Sequence, residues 1–326
     1  MQITVVIPTY NRPDFLKKAI ESVLQQTFQD FTIFISDNAS TKETAEVVNN
    51  FNDNRIIYHR HIENIGMQGN WKFCLENAPG NNIALLEDDN YFLPNHLSDA
   101  ASLMLKHDIQ FYSCNSKLND ELYTNIFSET IALKKEEIRI ANLLLDIRIP
   151  ASGVVFSKGL LKHINFAMAK DLWCMDRFYW RSMILHTGLI FNPAVNIIYV
   201  VHKNNITHSL LNDFRSRAKA SAQNRFVDRY ILFMYTSMYP SRILEIVDDL
   251  LKRNSSDLQY ILPSFYSSEK NQKLFTIGNL LLEKLYLKKK VPFFKYLPDF
   301  LSAFLIKKIN SINSLIGNWE APKVHN

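Results

Sequence analysis

The chain has 326 residues, 47% of them hydrophobic and 21% charged, with a formal net charge of +5. That length and apolar content exclude a disordered tail or a small disulfide-stapled module and leave room for two domains. No apolar run reaches the roughly 20 residues of a membrane-crossing helix, the opening reads as a strand and not a secretory leader, and three scattered cysteines, Cys74, Cys114 and Cys174, give neither a disulfide framework nor a metal site and point to a reducing, cytoplasmic compartment.

Ile3 to Ile7 is a β-branched strand that stops at Pro8. A polar loop, Thr9 to Asp14, follows. Phe15, Leu16, Ala19, Ile20, Val23 and Leu24 then recur as one face of a helix. Phe31 to Ile35 is a second strand, ending at Ser36-Asp37-Asn38-Ala39-Ser40. Thr41 to Phe51 predicts a helix and Arg55 to His59 a third strand. Strand, loop and helix alternate, which argues a parallel α/β sheet. Ligands collect at the carboxyl ends of such strands.

The run from Ala84 to Leu86 reads as a buried strand that ends in Glu87, Asp88 and Asp89. Three adjacent carboxylates repel one another unless a cation joins them. Hard divalent ions suit such oxygens and commonly hold substrate phosphates as well. The residues alone leave open a plain acidic turn before a helix at Leu97. Farther on, Ile197 to Val201 reads as a strand.

The charge is uneven. Residues 1–216 hold 20 Lys plus Arg against 23 Asp plus Glu, and residues 217–326 hold 17 against 9. Helices are expected at 218–235, 241–252, 272–287 and 297–316. Lys288-Lys289-Lys290 beside Phe293, Phe294 and Tyr296 suits an anionic membrane surface. A helical segment packed on the core, with solvated lysines, suits it equally. No basic nucleic-acid motif is present. Asn205-Ile206-Thr207 fits a glycosylation acceptor pattern, with nothing else to suggest secretion.

Four stretches in register resemble the family 2 glycosyltransferases: Val5-Val6-Ile7-Pro8-Thr9-Tyr10-Asn11-Arg12, Ser36 to Ser40, Asn64-Ile65-Gly66 and Leu86-Glu87-Asp88-Asp89. The resemblance implies a type A nucleotide-sugar-binding fold, a Rossmann-like, mixed but mainly parallel sheet flanked by helices. It implies inverting transfer from a nucleotide-sugar donor, with a UDP-sugar favoured, assisted by Mn2+ or Mg2+. It divides the chain into a catalytic domain, 1–215, and a basic helical segment, 216–326, for membrane-surface, acceptor or oligomer contacts. Pro8, Thr9, Tyr10, Arg12, Asp37, Asn64, Gly66, Asn70, Glu87 and Asp88 are then expected around the donor, with Asp37 on the nucleobase. Asp89 and His202 are the expected metal ligands, and Lys203 is a candidate phosphate contact. Ser152 to Lys158 matches the strand beneath the acceptor site, Asp176 matches the general base at the start of a helix, and Trp173 and Arg177 are the expected acceptor contacts. Trp180 and Tyr179 read equally as core or as a sugar platform. The acceptor class implied is a cell-surface glycan or lipid-linked glycan at the inner membrane face, and a second copy of this chain, as a homo-oligomer, is a further candidate partner.

Three departures from the family stand out: Glu87 where the pattern has Asp, Asn90 where an Asp often follows, and Met175 in place of the first acid of a Glu-Asp pair. They favour, as the rival reading, a non-catalytic glycan- or nucleotide-binding protein on the same fold. A nucleotidyltransferase fits less well, because no glycine lies between Thr9 and Arg12. A dinucleotide-dependent oxidoreductase is disfavoured by the lack of a Gly-x-Gly-x-x-Gly turn after any strand.

Overall fold

The computed structural model describes residues 1–118, 121–123, 128–139, 149–170 and 172–202, with part of 223–242. The expected helices at 272–287 and 297–316, that at 241–252 beyond Arg242, and most of that at 218–235 lie outside the described residues. So do the basic-aromatic stretch, Lys203 and the 205–207 sequon. Two compact units are distinguished, Met1–Ile231 and Leu232–Asn326. In the second unit, Pro240–Arg242 forms a short 3-10 turn.

The first unit is built on one ten-stranded sheet. Through β3 its first half alternates as the periodicity predicts: β1 (Ile3–Thr9), α1 (Pro13–Leu24), β2 (Phe31–Asp37), α2 (Lys42–Asn49) and β3 (Ile56–Arg60); α3 (Gly66–Asn77), which the sequence pattern does not announce, then leads to the expected β4 (Asn82–Leu85). Every residue of β1 is buried, because β1 lies between β2 and β4 and pairs with both in parallel. The apolar face of α1, Leu16, Ala19, Ile20 and Val23, packs into the core that Ile3, Val5 and Ile7 enter from the sheet. Each such side chain contributes roughly 1.5–3 kcal/mol on burial. Pro8 does not end β1. The strand continues to Thr9 opposite Asp37, and β4 pairs only with Thr4 to Val6. Pro8 therefore lies past the last β4 partner, where a missing N–H leaves no ladder bond unmade.

The second half mixes directions. β5 (Tyr91–Phe92) and α4 (His96–His107) lead to β6 (Phe111–Leu118), then β7 (Glu121–Tyr123), β8 (Ile131–Lys134) and β9 (Val155–Ser157). A 3-10 helix, Lys158–His163, and α5 (Phe166–Ala169) precede α6 (Met175–Thr187) and β10 (Gly188–Tyr199). The path runs β3-β2-β1-β4-β9-β6-β10-β5, with β7 beside β6 and β8 beside β10. β9 is antiparallel to both β4 and β6, and β6 is parallel to β10. The expected strand at 152–158 is thus shorter. Gly153 turns at φ +83, and a Cβ there would lie 1.6 Å from Ile197 Cδ1, so the chain can pass under β10 only as glycine. Conversely, β10 begins nine residues before the expected Ile197, with register shifts between Asn192 and Ile197 that break its alternation.

The order β3-β2-β1-β4 reverses direction at β1. Crossovers leave on opposite sides there, so a crevice opens beyond the carboxyl ends of β1 and β4. Thr9 and Leu85 end those strands.

Candidate active site

Asp88 and Asp89 project from the turn after β4 into that crevice. Both are buried, at 4% and 7% exposure. Thr9 Oγ1 donates to Asp88 Oδ2 at 2.7 Å, and the Tyr10 backbone N–H approaches the same oxygen at 3.4 Å. Arg12 Nη1 bridges the two acids, 3.0 Å from Asp88 Oδ1 and 2.8 Å from Asp89 Oδ2. His202 Nε2, just past β10, lies 3.0 Å from the same Asp89 oxygen, and its ring stacks on Phe15 of α1 at 4.6 Å. Three strands and one helix therefore converge on Asp89. A cavity of 280 Å³ opens beside it, between Phe15 and Lys18 of α1 and Tyr91 and Val200.

The electrostatics follow from burial. Desolvation pushes the Asp88 carboxyl up to about 6, with Arg12 opposing the rise and Asp89 adding to it. Burial works against the Arg12 charge, but Asp88 and Asp89 outweigh it and the guanidinium pKa is raised. Glu87 turns the other way. Its Oε2 accepts from Ser152 Oγ at 3.0 Å and Asn90 Nδ2 at 2.9 Å. Desolvation raises its pKa well above the usual range, and the charges of Asp89 and Asp176 raise it further.

Asn90 explains one departure from the family pattern. Its Nδ2 also donates to Ser152 Oγ at 3.0 Å, and its Oδ1 accepts the Val200 N–H at 2.9 Å. An aspartate could accept from Val200 but could not donate to Glu87. The amide thus ties the acidic turn to the end of β10, two residues before His202. Neither Asn90 nor Ser152 was singled out as a site residue by sequence; the only signal is the amide standing where an acid is usual.

The loop after β1 is locked to that after β2. Asn11 takes φ 52. Its N–H donates to Ser40 Oγ at 2.9 Å, and its Oδ1 accepts from Thr41 N at 2.8 Å. Asp37 is fully buried. It does not cap α2; its Oδ1 accepts the Ser40 N–H at 2.8 Å, while Tyr58 Oη donates to Oδ2 and Arg60 Nε stands 3.9 Å from it. Asn38 and Asn64 close the next loop, Nδ2 to Oδ1 at 2.9 Å, with the Ile65 and Gly66 N–H groups donating to them at 2.8 Å each. Gly66 has φ +79 with open space where a Cβ would sit. Asn70 is buried and spans β1 and β2, its Nδ2 reaching Ser36 O at 3.0 Å and its Oδ1 accepting from Ser36 Oγ at 2.6 Å. Tyr10 stands at the rim with 45% exposure, which leaves a ring face for stacking.

Asp176 lies in the first turn of α6. Burial raises its pKa, against the pull of the Arg177 backbone N–H and the charges of Arg177 and Arg181. Because Glu87 feels the charges of both Asp89 and Asp176, these acids share one electrostatic neighbourhood although 87 residues apart in number. Trp180 and Tyr179 are core residues. Trp180 sits among Trp71, Phe111 and Phe156, and Tyr179 packs on Phe166. Trp173 is partly exposed, and its backbone N–H donates to Gln223 Oε1 at 2.6 Å. Arg177 turns to Asp228, 2.8 Å away. Asp228 was not singled out by sequence, since nothing local marks it.

The protein UDP-Glc:alpha-D-GlcNAc-diphosphoundecaprenol beta-1,3-glucosyltransferase WfaP of Escherichia coli is 28% identical over 165 residues, 50% of this chain and 64% of that relative. The chain thus spans under two thirds of that relative's length. Among solved structures, S. aureus TarS 1-349 in complex with UDP-GlcNAc has a TM-score of 0.55 at 16% identity, covering 86% of this chain and 81% of TarS. The Pyrobaculum calidifontis mannosyltransferase PcManGT, in complex with GDP-Man and Mn2+, has a TM-score of 0.50 at 12% identity, covering 87% and 88%. These neighbours share the type A glycosyltransferase fold. The description Glycosyl transferase family 2 matches residues 4–160, the stretch that carries the β1 loop, the acidic turn and Ser152, and identifies that stretch, just under half of the chain, as a family 2 glycosyltransferase domain.

Proposed function

We propose that the protein transfers a sugar with inversion from a UDP-sugar to a hydroxyl of a lipid-linked or cell-surface glycan. One observation carries this reading. Arg12 Nη1 and His202 Nε2 meet the same Asp89 oxygen, at 2.8 and 3.0 Å, just beyond the carboxyl end of β4, which gathers a fixed positive charge and a carboxylate–imidazole pair where a nucleoside diphosphate would sit. WfaP's acceptor, a diphosphoundecaprenol-linked GlcNAc, supports the acceptor class, and TarS supports a uridine nucleotide donor.

In this reading Asp176 accepts the proton of the acceptor hydroxyl as that oxygen attacks the anomeric carbon. The C–O bond to the nucleoside diphosphate breaks on the opposite face, so the configuration inverts. Burial makes Asp176 a stronger base than an exposed aspartate, and such a group is worth on the order of 100- to 10,000-fold in rate. Tyr10 offers its face to the nucleobase, with Asp37 beneath. Asn64 and Gly66 shape the adjoining loop, and Pro8, Thr9 and Asn70 hold the β1 end rigid. Trp173 borders the acceptor side. Arg12 supplies a fixed positive charge beside the diphosphate.

The donor set fits a divalent ion. Asp89 Oδ2 and His202 Nε2 converge within 3.0 Å. Among the described residues no group of three or more His, Cys, Asp or Glu that could hold a metal ion is found, so in this reading phosphate and water oxygens would have to complete the shell begun by Asp89 and His202. An imidazole ligand favours Mn2+ over Mg2+. When bound, the ion neutralises charge on the departing diphosphate. Lipid-linked acceptors place the enzyme at a membrane face; among the described residues no helix is long and apolar enough to cross a membrane. Residues 1–215 form the catalytic domain in this reading, and the basic segment 216–326 approaches the anionic surface or a second copy.

Asp89→Ala and Asp176→Asn are each expected to abolish transfer. Calorimetry with UDP and Mn2+ separates them: only Asp89→Ala weakens metal-dependent nucleotide binding. Transfer at the normal rate by Asp176→Asn removes the base assignment.

A further inference from the structure

The helix that opens with Asp176 is gripped by a single carboxylate. Asp228 Oδ1 accepts from Arg177 Nη2 at 2.8 Å, from Arg177 Nε at 3.3 Å, and from Arg181 Nη1 at 2.5 Å. Asp228 and Arg181 are only 7% and 5% exposed. Arg177 and Arg181 stand four positions apart and so share one face of α6. Nearby, Gln223 Oε1 accepts the Trp173 N–H at 2.6 Å. Two side chains from 223–231 therefore hold the start of α6, one just before the helix and one along its flank.

We infer that Asp228 is a positioning residue for transfer: it fixes the first turn of α6 and offsets part of the charge of Arg177 and Arg181, the two arginines of that helix that act on Asp176. This deepens the reading of Asp176 as general base and rests on it. Asp228 itself touches neither substrate nor reacting atoms.

The charges facing Asp176 set the sign. Arg177 and Arg181, on its own helix, favour its carboxylate. Glu87 from the β4 turn faces it, as do the Cys174 thiol and the Tyr179 phenol, whose pKa values it raises. With Asp228 in place, one negative charge stands against the two arginines. Without it that opposing charge is lost. The carboxylate is then favoured, its pKa falls, and it becomes a weaker base. Since a general base works deprotonated, the rate rises with pH through that pKa. Loss of Asp228 therefore moves the acid limb to lower pH while lowering the plateau.

The test uses the full chain with Mn2+ and whichever of UDP-glucose, UDP-GlcNAc and GDP-mannose most raises its melting temperature. Nucleoside diphosphate release is followed across pH. Asp228→Asn is expected to lower kcat on the order of tenfold, through displacement of the base. Its acid limb should move down by roughly one pH unit, with the donor KM little changed. Asp228→Glu should restore much of the rate. Replacing both buried partners, as Asp228→Leu with Arg181→Met, leaves no buried unpaired charge and so protects folding. One arginine charge then faces Asp176, the same balance as in the wild type, so its limb should stay near the wild-type position while its plateau falls. If Asp228→Asn does not fold, the lowered plateau of this double variant at an unchanged donor KM carries the test. An unshifted limb in folded Asp228→Asn, or a wild-type plateau in the double variant, overturns the inference. Asp176→Asn run alongside separates the two readings. Normal turnover there defeats the base assignment, whereas an inactive Asp176→Asn with a wild-type-like Asp228→Asn defeats only the role of Asp228.

Discussion

At the scale of single residues, the acidic turn is legible because three carboxylates in a row after an apolar strand are chemically conspicuous. Their partners are not. Arg12 lies 76 residues from Asp88 in number yet 3.0 Å away in space, and no local pattern announces that pairing. Arg12 is the counter-ion that allows Asp88 and Asp89 to be buried together. Its removal in Arg12→Met should cost about 2 kcal/mol, read as a lower melting temperature without metal. The pH dependence has a definite sign. Burial raises Asp88 to about 6, above the 3.8 taken for the unfolded chain. The fold therefore prefers the neutral acid, and ionisation of Asp88 weakens it as pH rises through 6. Without Arg12 the raised pKa climbs further. The melting temperature of Arg12→Met should thus recover on acidification from pH 7.5 toward about 5 more than that of the wild type. Equal slopes would show that Arg12 does not compensate these acids.

At the scale of elements, the first half reads well as far as β3, because α1 carries a clear apolar face and β1 and β2 are runs of β-branched and aromatic residues; α3, which buries Asn70 and Cys74 beside Trp71 and Leu75, shows no such face. The second half reads poorly for physical reasons. β5, β8 and β9 are only two to four residues long, too short to show a period. Their pairings are set by distant neighbours, and β10 is interrupted by Pro193 and register shifts. The junction of the 3-10 helix with α6 is equally silent in sequence. There His163 and His186 stack face to face, with centroids 3.6 Å apart and planes 7° from parallel. Burial, then the charges of His163, Lys162 and Lys135, pull His186 down to about 4, and burial with Lys162 lowers His163. Both folded values lie below the unfolded 6.5. The unfolded chain therefore takes up protons that the fold refuses, and this part of the stability is complete above about pH 6.5 and drains away toward pH 4. Replacing His186 with Phe keeps the stacked ring and removes its proton site. That variant should lose less stability than the wild type between pH 6.5 and 4.5 in chemical denaturation; a parallel loss would mean the pair does not titrate as a unit.

At the scale of the whole molecule, the swing from net acidic to net basic near residue 216 suggests where the chain divides. Charge does not report which side chains serve the sheet. Asp228 and Gln223 lie past that swing, yet they hold α6 and the residue before it, within the unit Met1–Ile231. A chain ended at 215 leaves Arg181, 5% exposed, as a buried guanidinium without its carboxylate. Breaking a buried pair in this way costs about 3–5 kcal/mol. For a unit of this size that corresponds to a melting temperature on the order of 10 °C lower. A chain ended at 231 keeps both side chains and should melt close to the catalytic unit of the full protein. The two truncations differ by 16 residues, so the comparison also isolates the contribution of 216–231 from that of the basic residues beyond. If both melt alike, the ion pair adds nothing to the unit's stability. If the shorter chain alone loses stability and regains it when Arg181 is replaced by Met, the loss of the Asp228 contact to Arg181 is the cause.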